Sequence, residues 1–263
     1  MPDSLSTKRA TFRGLHKHGC FVLPNPWDVG GIRRLEKLGF KALASTSAGV
    51  AWAMGRNDGE LSRDEILDHL RLLCAATDLP VNADFEAGFA DEPEEVATNV
   101  SLALDTGIAG LSIEDRAGGT LYEPALAADR IRAAHETIAR SGQDVVLVGR
   151  SEGYLIGRTE LTATIDRLVA YAHAGADCLY APGITDLSAI RTVVSAVAPK
   201  PINVLLIGPN MHVAELADAG VRRVSVGGAL AAAAWAAFDR VVHLLVNEGT
   251  LPKRDIVRLD QSS

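Results

Sequence analysis

The chain has 263 residues, 48% of them hydrophobic and 22% charged, with 26 Lys and Arg against 33 Asp and Glu for a net charge of −7. That composition excludes a disordered or fibrous chain, and its acidic balance offers no basic face to a phosphate backbone, so nucleic acid is not expected as a partner. Cys20, Cys74 and Cys178 form no C-x-x-C pair, and the longest apolar run, Ala229 to Phe238, is too short for a bilayer; a cytoplasmic protein without a membrane segment is expected.

Short apolar, strand-like runs recur at 21–24, 42–46, 81–84, 110–114, 145–149, 178–181, 202–206 and 223–226. Stretches of helical periodicity lie between them, the alternation of a parallel sheet with crossover helices. Ser62 and Glu65 make a capping box ahead of an Ile66, Leu67, Leu70, Leu73, Cys74 stripe, which predicts an amphipathic helix. Pro93 opens a further helix that Gly107 closes, and Asn210 is placed to cap one running through Val213 and Leu216 to Gly220. His16 and His18 fall in a polar N-terminal segment and are expected to be solvated. The alanine-rich helix from Ala229 to Leu245 is apolar on nearly every side, as for burial against another subunit or tight packing within one. No linker or composition shift divides the chain, so residues 1–263 are expected to form one domain. Eight βα units of roughly 30 residues predict a single (β/α)8 TIM barrel, with an open doubly wound sheet as the alternative.

Active sites of such barrels lie at the C-terminal ends of the strands. Here those ends read Ser45-Thr46-Ser47-Ala48-Gly49, Asn82-Ala83-Asp84-Phe85-Glu86, Ser112-Ile113-Glu114-Asp115-Arg116 and Gly149-Arg150-Ser151-Glu152. Asp84 and Glu86, two apart, point the same way in an extended chain, and Glu114 on the next strand can converge with them. Such acids either share a hard cation, Mg2+ or Mn2+ rather than zinc, or pair with Arg116, Arg150 and strand-end amides. Arg150 offers a fixed fork to a carboxylate or an enolate oxygen, or else a salt bridge to Glu152 or Glu114. The Ser47-Ala48-Gly49 turn offers an anion its N–H groups, although a plain strand-ending turn has the same letters. Asn203 can face the site from its strand. Gly227 and Gly228 suit close strand-to-helix packing better than phosphate binding.

The run FVLPNPWDVGGIRRLEKLGFKALASTSAGVAWAMGRNDGELSRDE, followed by NADFEAGFA, LSIEDR, VGRSEGY and AGADCLYAPG, resembles the isocitrate lyase/phosphoenolpyruvate mutase superfamily over about residues 20 to 245. The resemblance implies a Mg2+-dependent barrel acting on 2-oxo acids such as oxaloacetate, phosphonopyruvate or the glyoxylate and pyruvate halves of a lyase substrate. It also implies a homotetramer, a dimer of dimers whose subunits exchange their last helices. By this likeness Asp84 matches the second aspartate of the D-x-D metal motif and Glu114 the metal-shell glutamate. Arg150 matches the substrate-contacting arginine, and Ser47, Ala48 and Gly49 match the turn holding the substrate carboxylate or phosphonyl group. Asp58 matches the acid of a mobile gating loop, with Asn57 aligning nearly as well.

Three departures bear on the reaction. The first metal-motif aspartate is Asn82 here, with Glu86 as a compensating acid. The gating loop reads GRNDGE and lacks the K-K-C-G-H cysteine of isocitrate and methylisocitrate lyases. Ala181-Pro182-Gly183 and Gly118-Gly119-Thr120 stand where phosphorus-transferring members carry a histidine and an asparagine segment. The resulting expectation is a Mg2+-dependent carbon–carbon lyase or decarboxylase acting on a small 2-oxo or 2-hydroxy acid through an enolate, with Asp58, Tyr180 or water as proton donor. The alternatives are phosphonopyruvate hydrolysis or mutation, and a binding barrel that retained the pocket without turnover.

Overall fold

The computed structural model describes residues 4–253; residues 1–3 and 254–263, the ends of the expected domain, lie outside the described residues. In chain order the elements are α1 (Leu5–Leu15), β1 (Phe21–Leu23), α2 (Val29–Lys37), β2 (Leu43–Ala44), α3 (Ser47–Ala53), α4 (Arg63–Ala75), β3 (Val81–Asp84), α5 (Pro93–Leu104), β4 (Gly110–Glu114), β5 (Arg116–Ala117), β6 (Thr120–Leu121), α6 (Pro124–Ser141), β7 (Val146–Arg150), α7 (Leu161–His173), β8 (Cys178–Tyr180), α8 (Leu187–Val197), β9 (Ile202–Leu205), α9 (Val213–Asp218), β10 (Arg223–Ser225) and α10 (Ala229–Glu248). Eight strands form one parallel sheet in the order β1-β10-β9-β8-β7-β4-β3-β2. Its two ends meet where the Ala44 N–H donates to Pro24 O at 3.0 Å, so the sheet curls into a nearly closed barrel rather than an open doubly wound array. The short β5–β6 hairpin stands outside the barrel, just past β4.

Alternation along each strand sorts the side chains. Leu111 and Ile113 of β4 pack outward with Leu70, Val100, Leu147 and Leu179 in the layer between sheet and helices, whereas Leu23, Ala44, Val148 and Tyr180 fill the bore. α1 closes the floor: Phe12 is fully buried in the bore cluster, and the Arg9 guanidinium donates to the carbonyls of Ile108 and Leu104. Gly110 allows this plug, because a Cβ there would stand 2.6 Å from the Phe12 ring and 2.7 Å from Asn82 Oδ1. His16, at the end of α1, is buried rather than solvated. Its Nδ1 bonds Phe12 O at 2.8 Å, and burial with the nearby Arg223 charge pushes its pKa down to about 3.

The capping box of α4 forms as predicted, with Ser62 and Glu65 satisfying one another's backbone N–H groups. Pro93 opens α5. Asn210 is not a cap: α9 begins at Val213, and His212 stands at its N-cap position without a side-chain bond. The Ser47-Ala48-Gly49 stretch, read as a turn, is the first turn of the helix α3, whose Gly49 amide is claimed by the Thr46 hydroxyl.

Candidate active site

Strand register assembles the site. Glu114 pairs with Arg150 across β4 and β7, and Arg150 pairs with Tyr180 across β7 and β8, so three inward side chains at one height meet at the C-terminal mouth. Arg150 Nη1 lies 2.8 Å from Glu114 Oε1 and 3.2 Å from Asp84 Oδ1, while its Nε lies 2.6 Å from Glu152 Oε1. One guanidinium therefore ties carboxylates from three elements, and its face covers the Tyr180 ring with Cζ 5.1 Å from the centroid. Asp84 Oδ2 accepts the Ser47 N–H at 3.0 Å, and the Ser47 hydroxyl lies 3.1 Å from that oxygen and 2.8 Å from Asp58 Oδ1.

The charges at this mouth are crowded. Burial raises the Glu114 pKa well above the usual carboxylate range; Arg150 opposes the shift, and Glu152, Asp84 and Glu86 reinforce it. Burial opposes the Arg150 charge, but Glu114, Glu152, Tyr180 and Asp84 outweigh it and hold the guanidinium protonated. Glu86 is pushed up to about 7, first by burial and then by Asp84 and Asp58. Its backbone adopts φ +46°, a left-handed geometry that is strained for a side chain other than glycine or asparagine. Its Oε1 is buried with no hydrogen-bond partner among the described residues.

A divalent cation fits these observations. An all-oxygen donor set, two carboxyls raised by burial and then by neighbouring acids, and an orphaned Glu86 oxygen are what a hard cation would satisfy, with water completing its shell. Among the described residues no three carboxylate, imidazole or thiol groups already stand at ligand spacing. Occupancy thus requires Arg150 to give up part of its hold on Asp84 or Glu114.

Asn82 does not belong to that set. Two residues below Asp84 on the same strand face, its Oδ1 accepts from Arg223 Nη1 at 3.2 Å and its amide donates to Ala83 O, so a neighbouring guanidinium occupies the oxygen a cation would need. Asn203 likewise spends its side chain on neighbouring residues. It is 1% exposed, accepts from Arg223 Nε at 2.9 Å and donates to Ser225 Oγ at 2.9 Å. In the Ser47-Ala48-Gly49 segment, the Ser47 amide is bound to Asp84 and the Gly49 amide to the Thr46 hydroxyl. Ala48 carries the remaining first-turn N–H, which has no acceptor within the helix. Of the two gating-loop candidates, Asp58 reaches the site, while Asn57 is turned back onto Glu60 through its amide and side chain.

Asp115 and Arg223 are the residues that strand-end reading passed over. Buried Asp115 accepts from the Glu152 N–H at 2.8 Å, Tyr171 OH at 2.6 Å and Arg167 Nη1 at 3.3 Å, and so aims the segment that presents Glu152 to Arg150. Its place beside Glu114 in SIEDR was the available signal. Arg223 sits two residues below the end of β10, where no strand-end motif points. Beneath the mouth lies a cavity of about 140 Å3 lined by Ser47, Asp84, Arg150, Tyr180, Arg223 and Ser225, among others.

A family profile for phosphoenolpyruvate phosphomutase matches residues 12–246. The chain belongs to the phosphoenolpyruvate phosphomutase family. It is 31% identical over 229 residues to 2-methylisocitrate lyase of Escherichia coli (strain K12), a match that covers 82% of this chain and 76% of that one. A crystal structure from Burkholderia cenocepacia J2315, described only as a lyase or mutase, superposes with a TM-score of 0.92 at 46% identity and covers 95% of this chain and 92% of that one. Oxaloacetate acetylhydrolase in complex with the product oxalate superposes with a TM-score of 0.86 at 26% identity, covering 95% and 90%. With these relatives the barrel is that of the phosphoenolpyruvate mutase/isocitrate lyase superfamily, and the chain is an enzyme of its lyase group.

Proposed function

We propose that this family member is a Mg2+- or Mn2+-dependent carbon–carbon lyase or decarboxylase that acts on a small 2-oxo or 2-hydroxy di- or tricarboxylate through an enolate. The observation that carries the reading is the Arg150 guanidinium bound to Asp84, Glu114 and Glu152 at the mouth of a cavity of about 140 Å3. A cavity of about 150 Å3 accepts benzene, so the volume here suits an acid of similar bulk rather than a nucleotide or a sugar phosphate.

Asp84, Glu86 and Glu114 would hold the cation, and it would supply charge withdrawal from the substrate's carboxylate and keto oxygens. Arg150 supplies a second fixed positive centre. Tethered to Glu152 at 2.6 Å, it stays at the mouth to stabilise developing oxyanion charge as the cation takes up Asp84 and Glu114. Asp58, held across the mouth by the Ser47 hydroxyl, is one candidate to deliver a proton to the carbanion. With no cysteine in Gly55 to Glu60, Asp58, Tyr180 and water are the candidates for that step.

We also propose a cytoplasmic enzyme that self-associates as a dimer of dimers through α10. That helix displays Trp235, Phe238, Val242 and Leu245 to solvent in a single subunit.

Incubation of the pure protein with oxaloacetate, phosphonopyruvate or 2-methylisocitrate, in Mg2+ or EDTA, tests the reaction, with products followed by NMR. Metal-dependent pyruvate from oxaloacetate, or glyoxylate-type cleavage of a longer acid, is the expected result. Phosphate release from phosphonopyruvate alone would assign carbon–phosphorus chemistry instead. Oxalate binding without any turnover would leave a sensor or storage barrel.

A further inference from the structure

Arg223 is a second basic group in the bore, below Arg150. It is 2% exposed, and its bonds run to two neutral oxygens, Asn203 Oδ1 at 2.9 Å from Nε and Asn82 Oδ1 at 3.2 Å from Nη1. Among the described residues no carboxylate lies within ion-pair distance of it, whereas Arg150 above it has three. Of the five N–H groups a guanidinium carries, those on Nη2 have no acceptor among the described residues. Yet Arg223 lines the same cavity as Ser47, Asp84 and Arg150.

An arginine stays charged in a protein, and a buried charge without a counter-ion is costly. Its surroundings do little to offset that. Burial lowers the Arg223 pKa, with Cys178 and Tyr180 the groups that oppose the shift, and both are ordinarily neutral near pH 7. Asn82 and Asn203 orient the fork by their oxygens and add no charge. This is a preorganised cation awaiting an anion, and the cavity is the open approach to it.

We propose that Arg223 binds one carboxylate of a substrate that carries two. The other end of the molecule would be engaged at the mouth, beside Arg150 and Asp84. This rests on the lyase reading of the same cavity and assigns the residue behind its preference for more than one carboxylate: Arg223 sets the discrimination between a diacid and a monoacid of the same chain type. Asn82, standing where the family's metal motif has an aspartate, belongs to this arrangement. A carboxylate at residue 82 would pair with Arg223 and cancel the charge that the substrate is to meet.

The test compares (S)-malate with (S)-lactate, and oxaloacetate with pyruvate, in the Mg2+-loaded protein by calorimetry and thermal shift. Oxalate serves as a short acid for the mouth. Wild type is expected to bind the diacid of each pair at least tenfold more tightly, in line with a charged hydrogen bond, and to gain more thermal stability from it. Arg223→Gln is expected to lose most of that discrimination while oxalate binding stays within about twofold. Arg223→Lys, which keeps the charge and guards against a folding failure of the glutamine variant, is expected to retain part of it. Equal affinity for diacid and monoacid in wild type, or undiminished discrimination in both variants, overturns the Arg223 proposal even if oxalate binds. Failure of every acid, oxalate included, overturns the lyase reading together with it.

Discussion

Arg150 cannot be replaced by a simple positive charge. Its Nε and Nη1 reach Glu152, Asp84 and Glu114 at once, and a lysine ammonium has neither the fork nor the planarity to do so. Arg150→Lys is therefore expected to lower kcat/KM on the order of a hundredfold while the circular dichroism spectrum is unchanged; a loss under fivefold would remove Arg150 from the reaction. Glu86 gives a prediction in pH. Its folded pKa is raised from 4.5 to about 7, so between those values the folded protein holds a proton that the unfolded chain has released. Stability from this group is complete below about pH 4.5 and is lost as pH rises through 7. The metal-free Glu86→Gln variant is thus expected to match wild type near pH 4.5 and to exceed it by roughly 1–3 kcal/mol at pH 8, as read by urea denaturation in EDTA. Added Mg2+ should narrow the gap by stabilising the wild type more. A gap independent of pH would refute the assignment. At this scale Asp84, Glu114 and Arg150 were legible because a strand's end exposes its chemistry in sequence order. Asn82 and Asn203 were not, because their roles depend on Arg223, which reaches both from β10, 141 and 20 residues away.

Elements hold the mouth in place through contacts that no local pattern encodes. Asp115, the residue after β4, collects the Glu152 N–H, Tyr171 OH and Arg167 and so fastens α7 to the segment after β7. Asp115→Ala would leave the Arg167 guanidinium facing no carboxylate and the Tyr171 hydroxyl and Glu152 amide unpaired, and is expected to cost about 3–5 kcal/mol in urea unfolding. Asp115→Asn, which keeps an acceptor, should cost less. If alanine were tolerated within about 0.5 kcal/mol, the residue would not be organising this corner. Arg130 acts similarly from α6: fully buried, it donates to the carbonyls of Glu114, Ala87 and Ala90 and lies over the Tyr122 ring, and so pins the loops that carry Glu86. Eight strands and the α4 cap were readable because apolar runs and capping boxes are short-range signals. The start of α9 was misread because Asn210 has a cap's chemistry two residues too early. The start of α3 passed for a turn because it follows the strand end at once and its first three residues are a serine, an alanine and a glycine.

The exposed face of α10 is the strongest feature of the whole molecule that a single subunit leaves unexplained. Trp235, Phe238, Val242 and Leu245 are each 37–57% exposed and fall at i, i+3, i+7 and i+10, a single stripe of the kind helices bury against one another. By length and apolar character the same helix could also cross a bilayer, with mean hydropathy 1.5 and little of its surface buried. Its sequence favours a protein partner over lipid, because Asp239 and Arg240 sit at its middle, where a charged residue costs roughly 2.5–3.5 kcal/mol each in a bilayer. On a helix packed against another subunit those two positions can remain at the wet edge of the interface. α10 also begins directly after Gly227 and Gly228, the latter packed so close to Trp52 that a Cβ would lie 3.0 Å from its ring. A partner bound along α10 would therefore press on the helix α3 that carries Ser47. The protein is accordingly expected to run as a dimer or tetramer in light scattering coupled to size exclusion, and Phe238→Glu with Leu245→Glu to run as a monomer with reduced kcat/KM. A wild-type monomer at micromolar concentration that partitions into detergent micelles would reverse the choice of partner, and an active monomeric variant would separate assembly from the chemistry at Arg150.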